Sequence, residues 1–376
     1  MGNLPSGWTS TTIGDVVTLQ RGYDITRAEQ RPGPVPVVSS GGISSWHDEA
    51  MAKGPGVVLG RKGTLGRTYY VDRDYWPHDT TLWVRDFKGN DPRFVYYFFS
   101  NLDFRYLDVG SANPTLNRNH VHPLPTTWPP ITEQRAISKV LGDLDDKIAS
   151  NITVTNLCDV LWRAAASEVL GQLEVDDDKT SEQGGQLLSS LARFVNGRAF
   201  TKGATGTGRM VVRIAELNSG PGDATVYNDL EVKDEYLVRP GNLLFAWSGS
   251  LTVQRWFREE AIVNQHIFKV VPEPGIPMWL VHAHLLRLLP GYKSIASGKA
   301  TTMGHIQRRD LDIAVAVPDK PTLANLDAIC TPLWERALQA EIESLRLVAL
   351  RDTLLPQLLS GQVRVRDAEE FVGASV

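Results

Sequence analysis

The chain has 376 residues, 42% hydrophobic and 22% charged, which is ordinary for a globular protein with room for two or three cores. No run of 18 apolar residues is present, which excludes a helical membrane span, and the opening MGNLPSGWTS lacks the basic-then-apolar pattern of a secretory signal. The net charge of −4 excludes a uniformly basic nucleic-acid binder, but residues 1–130 and 186–318 together carry +5 and the rest carries −9, so a polyanion would meet the former.

Residues 1–130 read as short strands and turns. VVTLQRGYD, VPVVSS, GVVLGRKG, TYYVD and TTLWVRD are β-branched or aromatic runs bounded by Gly, Pro, Asp and Asn. DPRFVYYFFSNLDFRYL breaks the pattern, with helical apolar spacing and Pro92 in the first turn. A Gly/Ser/Asn-rich piece, GSANPTLNRNH, and an extended VHPLPTTWPP follow.

Pro129 and Pro130 then precede a long amphipathic helix over 131–171, with Thr132 expected as its N-cap. Its apolar residues Ile137, Leu141, Leu144 and Ile148 repeat at spacings of 4, 3 and 4, a heptad-like seam that leaves Asp143, Asp145, Asp146 and Lys147 largely off it. A helix of this length spans roughly 60 Å and reads as a spacer. Residues 172–185, the acidic, glycine-paired QLEVDDDKTSEQGG, read as a linker.

After the linker the first pattern returns over 186–318. LLSSLARFVNGRAFTKG follows TSTTIGDVVTLQRGYDIT, GNLLFAWSGSLT follows GVVLGRKGTLG, EEAIVNQHIFKVV follows WPHDTTLWVRD, and MWLVHAHLLRLL follows FVYYFFSNL. SGKATTMGHIQRRDLDIAVAVPD answers the glycine-rich and proline-rich lead, and a second long helix over 319–361 answers the first, before a tail over 362–376. Gly22 pairs with Gly197, Gly63 with Gly249, and Ile137 with Ile329 in this alignment. The chain is therefore a tandem duplication: head, helix, head, helix.

The second seam runs through Leu326, Leu333, Ala337, Ala340, Ser344 and Leu347, then Leu350, Leu354 and Leu358, and its small residues permit close helix approach. Two seamed helices in one chain most simply pair antiparallel, with a head at each end. Cys158 and Cys330 fall in these helices and are too few for a metal framework, which fits a reduced, cytoplasmic setting. The expected class is α+β: two mixed, β-rich heads with short helices, in tandem, with two long helices forming an antiparallel coiled coil of pseudo-twofold character.

LPSGWTSTTIGDVVTLQRG, PPITEQRAISKVLGDLDDKI and RDTLLPQLLSGQV resemble the specificity subunits of type I restriction–modification systems, across nearly the whole chain. The Pro-Pro-x-x-Glu-Gln helix start carries most of the likeness. In the second copy, VPDKPTLANLDAI has Asn325-Leu326 where the Glu-Gln pair would stand. The resemblance implies two target recognition domains, each reading one half of an asymmetric bipartite sequence in double-stranded DNA. It implies a coiled coil that sets the unread gap and docks two adenine-N6 methyltransferase (M) subunits, and through them endonuclease/translocase (R) subunits. It implies no catalysis and no cofactor on this chain, with S-adenosylmethionine, ATP and Mg on partner subunits. An assembly scaffold whose heads bind proteins is the alternative.

Candidate DNA contacts are polar or basic residues in glycine-punctuated loops, because Arg suits guanine and Asn suits adenine in bidentate contacts. In the first head these are Arg21, Tyr23, Arg27, Arg61, Lys62, Arg67, Asn113, Asn117, Arg118 and Asn119. In the second they are Arg198, Lys202, Trp247, Ser248, Gln254, Arg255, Lys299, Thr301, His305, Gln307, Arg308 and Arg309.

Other motifs carry less. NPTL lacks the second proline and the aromatic of an adenine-methyltransferase tetrad, and SGKA is not a P-loop. His120 with His122, and His282 with His284, lack a third ligand nearby, so no metal is expected.

Overall fold

The computed structural model describes residues 4–104, 115–173, 185–298 and 305–375. Contacts divide the chain into two units, Met1–Lys147 with Leu347–Val376, and Ile148–Arg346. The division runs through both long helices rather than beside them, so each head is grouped with one half of each helix.

In the first unit the central sheet has the antiparallel order Thr18–Arg21, Thr81–Asp86, Gly56–Gly60, Thr68–Val71. Gly56–Gly60 is buried at every residue, which explains its continuous apolar run. The helix Pro92–Ser100 packs on Gly56–Gly60 and Thr68–Val71 and buries Phe94, Val95, Tyr97, Phe98 and Phe99. Asp91 caps it, accepting from the Phe94 N–H at 2.8 Å. The helix ends at Ser100, short of the expected 107, and residues 105–114 lie outside the described residues. A second sheet pairs Gly42–His47 with Val35–Ser39 antiparallel, and Val35–Ser39 with Trp76–Pro77 parallel. Thr9–Thr12 and Pro125–Trp128 form an antiparallel pair beside the helix start. The first of these was not legible as a strand, because its run of threonines has no apolar alternation.

The second unit repeats this plan. Its central sheet runs Ala192–Asn196, Ile267–Pro272, Leu243–Ala246, Thr252–Arg255, again antiparallel and in the same order. Its second sheet runs Tyr227–Asn228, Arg209–Val212, Ala261–Val263, Leu237–Val238, with the same parallel pairing between its two middle strands. The helix Met278–Gly298 packs on the central sheet, against Thr252–Arg255 and Ile267–Pro272, and Gly185–Leu187 pairs with Ala314–Ala316. The glycine correspondences hold in detail. A Cβ on Gly22 would stand 2.1 Å from the His78 carbonyl oxygen, and one on Gly197 would stand 2.1 Å from that of Asn264. Gly63 and Gly249 both adopt positive φ, +79° and +63°.

The long helices are Ile131–Gln172 and Lys320–Leu359. The first starts at Ile131, which puts its N-cap position at Pro130, two residues before the expected Thr132. Pro130, not Thr132, offers the carbonyl that accepts the Glu133 and Gln134 N–H groups, at 2.9 and 3.0 Å. Ile137, Leu141 and Leu144 are buried as the seam requires. The helices pair antiparallel within each unit. In the first, Arg351 donates to Asp145 at 2.8 Å. In the second, Asn151 donates to Glu343 at 2.8 Å, and Trp162, Ala166 and Leu170 pack with Leu326, Cys330, Trp334 and Leu338. Ala337 and Ala340 are fully buried in that approach. One pairing fails: Ile137 is 1% exposed but Ile329 is 51% exposed, and Cys330 takes the buried place beside it. Both cysteines are buried free thiols. The expected tail contains a further helix, Val365–Ser375, and Arg364 before it reaches Glu133 at 3.3 Å.

The Pro-Pro-x-x-Glu-Gln segment acquires a physical meaning here. Gln134 is 1% exposed; its amide donates to Asn90 Oδ1 at 2.8 Å and to the Pro129 carbonyl at 2.9 Å, and accepts from the Asp91 N–H at 3.0 Å. Glu133 accepts from Trp8 Nε1 at 2.8 Å. The segment locks the head to the helix through the same Asp91 that caps Pro92–Ser100. Gln134→Leu, which takes the partner from the Asp91 N–H and one of two donors from Asn90 Oδ1, is expected to lower unfolding stability by ~2 kcal/mol in urea denaturation.

Candidate nucleic-acid interface

In the first unit, loops from four parts of the chain meet at one end of the central sheet. Arg21 closes the first strand, Gly22 passes tightly under His78, and Tyr23 donates its N–H to the Pro77 carbonyl at 2.7 Å. Arg61 donates its N–H to the Thr80 carbonyl at 2.9 Å and accepts at its own carbonyl from the Leu116 N–H at 2.9 Å. Lys62 bridges Thr115. Asn117 caps the short helix Arg118–Val121, accepting from the Asn119 N–H at 3.0 Å, and leaves Arg118 and Asn119 exposed.

The second unit builds the same junction. Arg198 bridges Asn264 as Tyr23 bridges His78. Trp247 donates its N–H to the His266 carbonyl at 3.1 Å and accepts from the Ile306 N–H at 3.1 Å. Ser248 bridges His305, and Gln307 precedes the short helix Arg308–Leu311. Backbone geometry is thus held constant while the side chains differ.

These side chains are not equivalent in freedom. Arg21 holds Asp79 at 2.7 Å. Burial pushes the Asp79 carboxyl up, but Arg21, His78 and Lys62 together keep it below its ordinary value. Arg61 has a buried Nη1 with no partner among the described residues, and burial and the neighbouring Arg21 lower its proton affinity, with Asp79 opposing. Tyr23 is wedged edge-on to Trp76 with its hydroxyl accepting from Gln20 at 3.0 Å, so it walls the junction. Arg67 lies over Tyr69 at 5.6 Å, and Arg27 and Lys202 are exposed. Arg198 lies over Tyr236 at 4.9 Å. Trp247 packs on His266 and Phe268, with Nε1 donating to Asn196 at 2.9 Å, and Ser248 is buried. Gln254 reaches Asn218 at 3.4 Å, and Arg308 and Arg309 are exposed. Asn113, Lys299 and Thr301 lie outside the described residues.

Arg255 does not join this set. It is 5% exposed, with Nε 2.8 Å from Glu341, Nη1 3.3 Å from Asp159 and its guanidinium 4.9 Å from the Trp334 ring. Strand alternation explains this: Val253 and Arg255 share the inward face while Thr252 and Gln254 share the outer one. Asp145 is likewise no bystander, since it accepts from Tyr97 at 2.5 Å as well as from Arg351.

The junction also contains residues that sequence reading passed over: His78, Asp79 and Thr80 in the first unit, Asn264 and His266 in the second. All sit in WPHDTT and VNQHIF, which were legible as matching strands but not as polar turns. His266 has positive φ, +74°, which marks a turn that a strand pattern conceals. Asp24, His78 and Asp79 bring potential ligand atoms within 4.8 Å of one another, but Asp79 is already held by Arg21 and His78.

Residues 5–156, covering the first head and the start of its helix, match a known family over their whole length. The family is that of the type I restriction modification DNA specificity domain, and the likeness is to these residues. The chain is also similar over 93% of its length to the S subunit of a type I restriction-modification system from M. genitalium, 96% of which is covered, with TM-score 0.67 and 16% identity. At that identity the likeness is one of fold, and it extends beyond the specificity domain to the second unit. The HsdS subunit from Thermoanaerobacter tengcongensis matches with TM-score 0.34 and 16% identity, covering 96% of this chain and 99% of that one. A chain from work on complex assembly and conformational transition of the type I R-M system matches with TM-score 0.40 and 16% identity, covering 96% and 100%. No curated protein sequence matches the chain. No helix among the described residues is long and apolar enough to cross a membrane.

The remaining histidines are structural in their surroundings. His122 Nε2 accepts from the Leu19 N–H at 3.0 Å. His282 and His284, in the second unit, are 3% and 1% exposed, each with Nε2 unpartnered among the described residues. Burial, then the charges of Arg163 and Arg255, lowers His282 from 6.5 to about 3; burial and Arg287 lower His284 to about 4. Both are neutral when folded, while the unfolded chain protonates them below pH 6.5. Stability present above that pH is therefore lost as pH falls towards about 4. The expected slope is ~1.4 kcal/mol per pH unit per histidine, and it should flatten in His284→Leu, as urea titrations between pH 4.5 and 7 would measure.

Proposed function

We propose that the chain is the DNA-recognition subunit of a type I restriction–modification complex, with each head reading one half of an asymmetric, bipartite duplex sequence. The reading rests on one observation above others. Two units share a strand order and a set of loop-anchoring hydrogen bonds, yet carry unlike side chains at the loop tips. Unlike side chains at the tips of a repeated scaffold are what two different half-sites require.

In this reading the paired helices set the length of the unread gap and hold two adenine-N6 methyltransferase subunits. Endonuclease/translocase subunits join through them. The chain itself supplies anchoring and base readout. S-adenosylmethionine, ATP and magnesium belong to the partners. An exposed apolar stripe on the first long helix, Leu157, Val160 and Leu161 at helical spacing, supports a protein partner on that surface.

Selection of bound duplexes from a random pool, using the full chain with its methyltransferase subunit, should return a split, asymmetric sequence. A continuous palindrome, or no sequence at all, would count against the proposal and favour a protein-binding scaffold. One heptad inserted in both helices, at Ile148 and at Leu347, should widen the gap by ~10 Å, roughly three base pairs, and change neither half-site.

A further inference from the structure

Buried polar atoms without partners cost free energy, and a fold retains them where something else satisfies them. Among the described residues, two such side-chain atoms lie at the loop junctions just described: Arg61 Nη1 in the first unit and His266 Nδ1 in the second. Arg61 is the more telling. Its backbone is pinned on both sides, by the Thr80 carbonyl and by the Leu116 N–H. Its nearest carboxylate, Asp79, is already paired with Arg21 at 2.7 Å. The second guanidinium is thus held beside a first that has used the local negative charge, and it keeps a donor, Nη1, that no described residue fills. A half-buried, planar cation with an unfilled donor calls for a ligand with two acceptors on one edge. In a duplex groove that is the O6 and N7 edge of guanine.

The equivalent backbone position in the second unit carries Trp247, with the same two backbone bonds. Its Nε1 is satisfied by Asn196, the residue standing where Arg21 stands in the first unit. The cationic pair of one head is replaced by a neutral aromatic–amide pair in the other.

We propose that Arg61 reads a guanine in the half-site of the first head, with the Arg21–Asp79 pair orienting it, and that the second head reads its half-site without an arginine at this position. This rests on the reading of the chain as a DNA-recognition subunit. It specifies one base and one residue.

The test uses the full chain with its methyltransferase subunit, with duplex selection followed by affinity measurements on single-base variants of the selected sequence. Arg61→Ala should relax discrimination at one guanine of one half-site by roughly tenfold to a hundredfold, leaving the other half-site unchanged. Arg61→Gln should move the preference at that position from guanine towards adenine. Retention of the same guanine preference in both variants overturns the inference. So does a uniform loss of affinity across all sequences with a shallower salt dependence, which marks a phosphate contact. Should Arg61→Ala fail to fold, Arg61→Gln, which keeps a long polar side chain, decides the matter alone. If the unmodified complex selects no split sequence, the proposed function itself fails; if it selects one that Arg61 variants leave intact, only this inference does.

Discussion

Neither long helix can satisfy its apolar seam alone. An isolated helix of 42 or 40 residues would leave that seam in water, and helix propensity does not compensate for it. The antiparallel pairing of the two removes the problem, and the rest of the structure is organised around it. Within the first unit the pairing is reinforced by Arg351 and Asp145, and within the second by Asn151 and Glu343 and by the Trp162–Cys330–Trp334 cluster. The small residues Ala337 and Ala340 allow the backbones to approach, so the bond between the helices is dispersion as much as charge.

Each head is attached to this pair by its own polar device. In the first unit it is Gln134, Asn90 and Asp91, joined by Trp8 and Glu133. In the second it is the buried Arg255, held between Asp159 and Glu341, together with the Trp279 indole donating to Asp327 at 2.8 Å. Buried polar contacts of this kind add orientation more reliably than they add stability. The two devices use different residues for the same task, which accounts for the missing Glu-Gln pair in the second copy. There an arginine from the edge strand does the anchoring instead.

Above the anchored sheets, the loop junctions separate scaffold from variable chemistry. Backbone hydrogen bonds tie four stretches of chain together at the same relative positions in both units. Side chains at those positions can differ, because the bonds the two units share there run from backbone to backbone. Arg61 and Trp247 occupy one such position, Arg21 and Asn196 another. A scaffold built this way can change its loop chemistry without changing how it folds.

Much of this was legible in the residues. The heptad seam, the duplication and the helix lengths follow from local periodicity; Gly63/Gly249 mark a positive φ and Gly22/Gly197 a close backbone approach that a Cβ would block. What sequence could not settle was which polar residues face outward. Arg255 looked like a loop arginine, and only the strand's alternation and the helices beneath it turn it inward. His78, Asp79, Asn264 and His266 stood in segments matched between the copies, and only the crossing of loops from distant parts of the chain makes them a junction. Ile329 aligned with the seam residue Ile137, and yet Cys330 beside it is the one the partner helix buries. Periodicity is a property of neighbours along the chain and can be read there. Which face is covered, and whether a charge meets a partner or is left open, depends on segments up to two hundred residues away, and so it is decided only when the chain has folded.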